Sequence, residues 1–139
     1  MIAEAFKPEH VREILKDIAP SSAHQMADEA YCQMLKASGP SATLRNNAGQ
    51  IIACAGLLDI EDGSFLWSFI SSAASRHKVG LVRAARRLVE IARRPTVATV
   101  EVGFPTGCEF LERLGFRYRQ ELPRFGPAGE SYHVYARAD

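Results

Sequence analysis

Residues 106–118 constrain the fold more than any other stretch, because they encode a helix, its end and the start of a strand. Thr106 and Glu109 have the spacing of a capping box, which predicts that the helix begins there. Gly115 predicts the helix end, because glycine adopts the left-handed conformation at little cost, and an extended run begins at Phe116. Apolar side chains recur between them at helical spacing, at Phe110, Leu111 and Leu114.

Turn signals and apolar periodicity divide the rest of the chain into alternating helices and strands. The predicted strands are Met1–Phe6, Ala42–Arg45, Gln50–Ile60, Ser64–Ile70, Val97–Val102, Phe116–Leu122 and Tyr132–Arg137. The predicted helices run from Pro8 to Pro20, from Ser21 or Ser22 to Gly39, from Arg76 to Arg94 and from Thr106 to Leu114. The order β-α-α-β-β-β-α-β-α-β-β predicts an α/β (α+β) fold, with one domain over residues 1–139.

Side-chain periodicity also predicts which residues are buried. The buried side of the third helix is predicted to comprise Leu81, Ala84, Ala85, Leu88, Ile91 and Ala92. Trp67 is expected in the core, with the wall of a ligand pocket as the alternative.

Composition argues against a membrane protein. The 139 residues are 47% apolar, but no run reaches the roughly 18 consecutive apolar residues of a membrane-spanning helix. The amino terminus lacks the pattern of an export signal. We therefore expect a cytoplasmic protein with no membrane partner.

Charge is distributed unevenly along the chain. Residues 1–63 contain nine acidic and five basic residues, whereas residues 76–94 contain seven basic residues and one acidic residue, Glu90. A phosphate-rich ligand would favour the second segment. Aromatic side chains do not alternate with its arginines, so a solvated helix face is favoured over nucleic-acid binding through Arg83 and Arg87.

The three cysteines, Cys32, Cys54 and Cys108, are too few and too dispersed for a metal cluster, so no metal site is predicted. Reduced, buried thiols are the main interpretation. Cys108 has an alternative as a nucleophile, because the start of a helix favours a thiolate.

The sequence from Glu112 to Phe116, Glu-Arg-Leu-Gly-Phe, resembles the carboxyl-terminal signature of the Gcn5-related N-acetyltransferase family. The order of predicted elements resembles that family over the whole chain, and the Phe125-Gly126-Pro127 loop is similar to that of phage and prophage acetyltransferase-like proteins. The resemblance implies a mixed sheet whose fourth and fifth strands run parallel and splay apart. It also implies acetyl-coenzyme A as co-substrate in the gap, and an amine on a small molecule or a protein as acceptor.

The resemblance assigns coenzyme binding to the end of the fourth strand and the start of the next helix. The residues concerned are Ser68, Phe69, Ile70, Arg76, His77, Lys78, Val79, Gly80 and Leu81, with Phe104 at the position of a pantetheine-binding Asn. The chain departs from the family pattern at Phe104 and at three further positions, of which one is Val82, where a small residue is usual. His77 stands where Gln or Arg is usual, and Leu111 replaces the Tyr that protonates the leaving thiolate.

Three side chains are candidates for acid–base catalysis. Glu101 interrupts an apolar strand and is a candidate general base if it faces the cleft; an edge or surface position is the alternative. Tyr118 is a candidate acid in place of Leu111, and His133 is a candidate at the substrate mouth. A packed aromatic and a solvent-facing His are the respective alternatives.

Two other functions stay open beside an N-acetyltransferase. One is a module of the same fold that binds coenzyme A or another protein without catalysis, and the weaker one is the nucleic-acid binder. The acceptor mouth is predicted to include Met26, Tyr31, Phe125 and Tyr132. The sequence leaves the oligomeric state open, a homodimer included.

Overall fold

A computed structural model of the protein describes residues 1–18, 24 and 27–138. The strands are β1 (Ile2–Ala5), β2 (Ser41–Arg45), β3 (Ile51–Ile60), β4 (Gly63–Ile70), β5 (Thr96–Glu101), β6 (Arg117–Leu122) and β7 (Tyr132–Arg137). The helices with described bounds are α1 (Pro8–Leu15), α2 (Glu29–Ala37), α3 (Lys78–Ile91) and α4 (Pro105–Arg113), and a 3₁₀ turn spans Ser72–Arg76. This order confirms the predicted fold. No helix in the described part of the chain has the length and apolar character needed to cross a membrane.

The seven strands form one mixed sheet in the order β1-β2-β3-β4-β5-β7-β6. The β4 and β5 strands are parallel, and only Ser64 with Thr96 and Phe65 with Val97 are paired between them. Both strands continue well beyond these pairs and therefore diverge towards their carboxyl ends. The predicted splay is confirmed.

Helices cover both faces of the sheet. The face under α1 and α2, here the α1–α2 face, holds a core of Phe6, Val11, Ile14, Cys32, Leu35, Ile51, Cys54, Trp67 and Phe69. The face under α3 and α4, here the α3–α4 face, holds a second core that includes Leu66, Leu81, Ala98, Phe110 and Tyr135. Trp67 is 4% exposed, which confirms its predicted place in the core.

The first two helices are shorter than predicted. The α1 helix ends at Leu15, with Lys16 as its C-cap. The α2 helix begins at Glu29, because the carboxylate of Asp28 accepts a hydrogen bond of 2.8 Å from the Tyr31 N–H and caps the first turn. The prediction of one unbroken second helix is therefore wrong at residues 27 and 28. Its predicted start at Ser21 or Ser22, Pro20 and Met26 lie outside the described residues.

The α4 helix begins one residue before the predicted cap. Phe104 is the N-cap and Pro105 takes the first helical position, where its fixed φ and missing N–H suit a helix start. Thr106 is therefore inside the helix and the predicted capping box is wrong. The predicted end is confirmed, because Gly115 has a φ of +91° after the last turn.

The α3 helix is shorter than predicted at both ends. The 3₁₀ turn takes the residues up to Arg76, and the helix ends at Ile91 instead of Arg94. Its buried residues are Leu81, Ala85 and Val89. The predicted burial of Ile91 is wrong: it is 66% exposed, because helical rotation brings Val89 onto the sheet and turns Ile91 away.

Candidate active site

The gap between β4 and β5 is closed at one end and open at the other. The N–H of Ser64 donates to the carbonyl oxygen of Pro95 at 3.1 Å, and the Ser64 hydroxyl donates to the carbonyl oxygen of Arg93 at 2.6 Å. Both contacts lie at the amino ends of the strands. The carboxyl ends, near Ile70 and Glu101, border the open part of the gap.

A small, open cleft lies between α3 and α4 beside the end of β4; we refer to it as the α3–α4 cleft. Its lining residues are Ile70, Ala74, Lys78, Leu81, Val82, Thr106, Glu109, Phe110 and Arg113. The cleft is narrow, because Lys78 Nζ on α3 lies 3.6 Å from Glu109 Oε1 on α4. Glu109 Oε1 also lies 3.0 Å from Arg113 Nη2.

Three of the predicted coenzyme-binding residues line this cleft, and a fourth, His77, immediately precedes one of them. Ile70, Lys78 and Leu81 line it. His77 is the N-cap of α3, and its carbonyl oxygen accepts a hydrogen bond of 2.9 Å from the Leu81 N–H. The amides of residues 78–80 precede this first helical bond, so the helix has no carbonyl partner for them. Such N–H groups favour an anion at the helix start.

The other coenzyme candidates lie apart from the cleft lining. Val79 is 68% exposed, Arg76 lies exposed in the 3₁₀ turn, and the space beside Gly80 is occupied by the side chain of Met1. Phe104 follows β5 as the N-cap of α4. Two candidates lie elsewhere on β4: Ser68 lines a second cavity beneath α3, which shares Ile70, Leu81 and Phe110 with the cleft, and Phe69 belongs to the core of the α1–α2 face.

The three acid–base candidates divide between the two faces of the sheet. Val100 packs against the core of the α3–α4 face, so its neighbour Glu101 lies on the α1–α2 face of the sheet. Glu101 pairs with Tyr132, whereas His133 pairs with Val100 and shares the opposite face. The structure therefore separates Glu101 from His133.

Tyr118 and His133 do lie together, but His133 is two strands and Tyr118 three strands away from β4. Their rings meet edge-on with centroids 5.3 Å apart, and His133 Nδ1 lies 4.0 Å from Glu121 Oε1. The β5 strand separates His133 from β4, and Tyr118 lies on β6, the edge strand, so this pair lies at the outer edge of the sheet. Tyr118 is 53% exposed.

Aromatic side chains gather near Glu101 on the α1–α2 face. Tyr132, its strand partner, meets Phe125 edge-on with ring centroids 5.7 Å apart. Burial raises the pKa of the Tyr31 phenol, and nearby Cys32 and Tyr132 raise it further. Three of the four predicted mouth residues therefore lie on this face, and the fourth, Met26, lies outside the described residues.

None of the three cysteines lines the α3–α4 cleft. Cys32 and Cys54 are buried, and burial raises the pKa of the Cys54 thiol to about 11. Cys108 is half-buried, and a hydrogen bond with it raises the pKa of Tyr135, which is on β7. Among the described residues, no group of three or more His, Cys, Asp and Glu side chains could hold a metal ion.

Sequence reasoning assigned Glu109 to helix capping and missed its position at the mouth of the cleft. The sequence signal was partial: Glu109 and Arg113 have the i,i+4 spacing of a helical ion pair. The contact with Lys78 joins two helices and has no sequence signal.

No sequence family model matches the chain, and no curated protein matches it by sequence. Solved structures do match it. Ard1 from Thermoplasma volcanium has a TM-score of 0.74 at 14% identity, over 99% of this chain and 96% of that chain. The ribosomal-protein-S18-alanine N-acetyltransferase from Escherichia coli has a TM-score of 0.68 at 15% identity, over 99% and 92%. A variant of the spermidine N-acetyltransferase SpeG from Vibrio cholerae has a TM-score of 0.65 at 13% identity, over 99% and 95%. With its splayed β4 and β5 strands, the chain has the fold of the Gcn5-related N-acetyltransferases.

Proposed function

We propose that this protein is a single-domain N-acetyltransferase that transfers an acetyl group from acetyl-coenzyme A to an amine. One observation carries the proposal: β4 and β5 separate after the pair Phe65 and Val97. From Leu66 onwards, the backbone groups of β4 on that side have no partner in β5. An extended pantetheine chain with amide groups can satisfy them.

The α3–α4 cleft lies beside the end of β4, and we assign the pyrophosphate of the coenzyme to it. Lys78 and the first amides of α3 supply positive charge and N–H donors for a pyrophosphate. The amine would approach from the α1–α2 face, where Glu101 is paired with Tyr132. Donor and acceptor would thus reach the thioester carbonyl from opposite sides of the sheet.

In this reaction the amine nitrogen attacks the thioester carbonyl carbon, and the carbon–sulfur bond breaks as the tetrahedral intermediate collapses. We assign Glu101 the role of general base that takes the proton from the amine, directly or through a water. Leu111 is 4% exposed and has no proton to give. The leaving thiolate would therefore take its proton from solvent.

The names of the structural neighbours support an amine as acceptor. One neighbour is named for spermidine and another for an alanine of a ribosomal protein. The first is a small polyamine and the second belongs to a protein, so both acceptor classes enter the test.

Thermal unfolding with and without millimolar acetyl-coenzyme A tests the proposal. A ligand at one hundred times its Kd stabilises a protein by about 2.7 kcal/mol, so we expect a clear rise in Tm. Thiol release should then follow with at least one amine from a panel of polyamines and peptides. A rise in Tm without turnover would favour the non-catalytic binding module, and an unchanged Tm contradicts the proposal.

A matched pair of variants locates the binding site. Lys78→Ala should weaken the rise in Tm, whereas Arg83→Ala, on the exposed side of the same helix, should leave it unchanged. A salt-dependent shift of nucleic acid in a gel, lost in Arg83→Ala, would support the nucleic-acid alternative instead.

A further inference from the structure

Glu109 contacts both cationic side chains at the mouth of the α3–α4 cleft. Its Oε1 lies 3.0 Å from Arg113 Nη2 on its own helix and 3.6 Å from Lys78 Nζ on the facing helix. The deeper lining is apolar, from Ile70, Leu81, Val82 and Phe110. The charge of the cleft is therefore concentrated at its rim.

We propose that Glu109 is an electrostatic latch on this cleft. Its carboxylate occupies Lys78 and Arg113, the donors that an incoming pyrophosphate group would use, and its negative charge repels that group. A polyanionic ligand must therefore displace Glu109 from Lys78 before it can occupy the rim. This inference rests on the proposed function, because it concerns binding of the coenzyme to the same cleft.

The exposure of the latch makes it easy to exchange. The side chains of Lys78, Glu109 and Arg113 are 44–48% exposed, and exposed ion pairs contribute little to folding stability. A second contact joins the helices independently of Glu109, since Arg86 on α3 donates to the carbonyl oxygen of Arg113 at 3.3 Å. Release of Glu109 would thus free the two cations without separating the helices.

Glu109→Gln tests the latch, because it removes the charge and keeps the shape of the side chain. Glu90→Gln is the matched control: it changes the net charge equally, at an exposed position on α3 outside the cleft lining. The probes are inorganic pyrophosphate and coenzyme A, each titrated by calorimetry at low and at physiological ionic strength. We expect Glu109→Gln to bind both about three- to tenfold more tightly than wild type, and the gain to shrink with added salt. We expect Glu90→Gln to match wild type.

The outcomes separate the latch from the proposed function. Tighter pyrophosphate binding by Glu109→Gln, without acetyl transfer by any form of the protein, upholds the latch and contradicts the acetyltransferase. Unchanged or weaker pyrophosphate binding overturns the latch, as does an equal gain in Glu90→Gln or no pyrophosphate binding by any form. Glu109→Ala is the second variant if Glu109→Gln does not fold, with the same expectation. Addition of Lys78→Ala to Glu109→Gln should remove the gain.

Discussion

Glu101 and His133 lie on opposite faces of the sheet, although β5 and β7 place them only one register position apart. His133 pairs with Val100, and Glu101 pairs with Tyr132. Side chains alternate between faces along each strand, so the two titratable groups are separated by the thickness of the sheet. One substrate group cannot contact both of them, and a mechanism must choose one face.

We predict that Glu101 is needed for turnover and that His133 is not. Glu101→Gln should lower kcat about 100-fold or more, because loss of a general base removes typically 10²–10⁴ of rate. His133→Gln should stay near wild type, because its ring lies with Tyr118 at the outer edge of the sheet. Steady-state kinetics with the amine found in the panel checks both variants.

Binding of acetyl-coenzyme A serves as the control for this prediction. Both variants should retain the wild-type rise in Tm with the coenzyme, because neither residue lines the α3–α4 cleft. A large loss of turnover in His133→Gln with Glu101→Gln unaffected would mean that the acceptor approaches from the α3–α4 face.

The order of elements and the β4–β5 splay could be predicted from the sequence. Apolar periodicity, turn residues and the resemblance to a known family are all signals that continuous stretches of sequence contain. The separation of Glu101 from His133 could not. The alternation of side chains along one strand shows which of its residues share a face. The register between β5 and β7, however, depends on how both strands pack in the finished sheet. Glu101 could therefore be singled out from its sequence, but not assigned to a face.

Cross-element contacts were missed for a similar reason. Lys78 and Glu109 lie on two helices that are separated in the sequence by β5. Only tertiary packing brings the two side chains into contact. Helix ends were mistaken where two local signals competed. The α4 helix begins at Pro105, ahead of the predicted cap at Thr106. The α2 helix begins after its cap Asp28, although the apolar pattern of the sequence starts earlier.

The two helix starts give a stability prediction. Asp28→Ala should lower the free energy of unfolding by about 1 kcal/mol, because the Tyr31 N–H loses its acceptor. Thr106→Ala should change it by less than about 0.5 kcal/mol, because Thr106 is exposed and does not cap the helix. Urea denaturation measures both, and the reverse ranking would restore Thr106 as the functional cap.

A cross-strand pair on the α1–α2 face gives another prediction. Gly56 lies opposite Trp67, and a Cβ at Gly56 would come within 2.6 Å of the indole ring. Gly56→Ala should therefore destabilise the protein by about 1–3 kcal/mol through overpacking.

Gly80→Ala is the control for this overpacking. Its added methyl group meets only the flexible end of the Met1 side chain, and alanine favours the helix. Its free energy of unfolding should stay at the wild-type value or rise by up to about 1 kcal/mol. Equal destabilisation of both variants would show that loss of glycine itself, and not contact with Trp67, is responsible.

A buried histidine on α1 predicts how stability depends on pH. His10 is 7% exposed, and its Nδ1 accepts a hydrogen bond of 3.1 Å from the Lys7 N–H and lies 2.7 Å from Thr43 Oγ1. Its Nε2 lies 3.1 Å from Glu4 Oε1. The neutral ring, with its proton on Nε2, fits these partners, because a protonated Nδ1 could not accept from Lys7.

Burial lowers the pKa of His10 below its ordinary value of 6.5, and Arg45 lowers it further, against the opposite effect of Glu4, Glu13 and Glu9. A folded-state pKa below the unfolded value means that the unfolded chain binds the proton first. Stability should therefore be full above pH 6.5, fall as the pH drops through 6.5, and level off below the folded-state pKa. His10→Asn cannot titrate, so its Tm should vary less with pH than that of wild type between about pH 8 and pH 5. If the Tm of both proteins varied with pH in the same way, the loss of stability at low pH would be due to other groups.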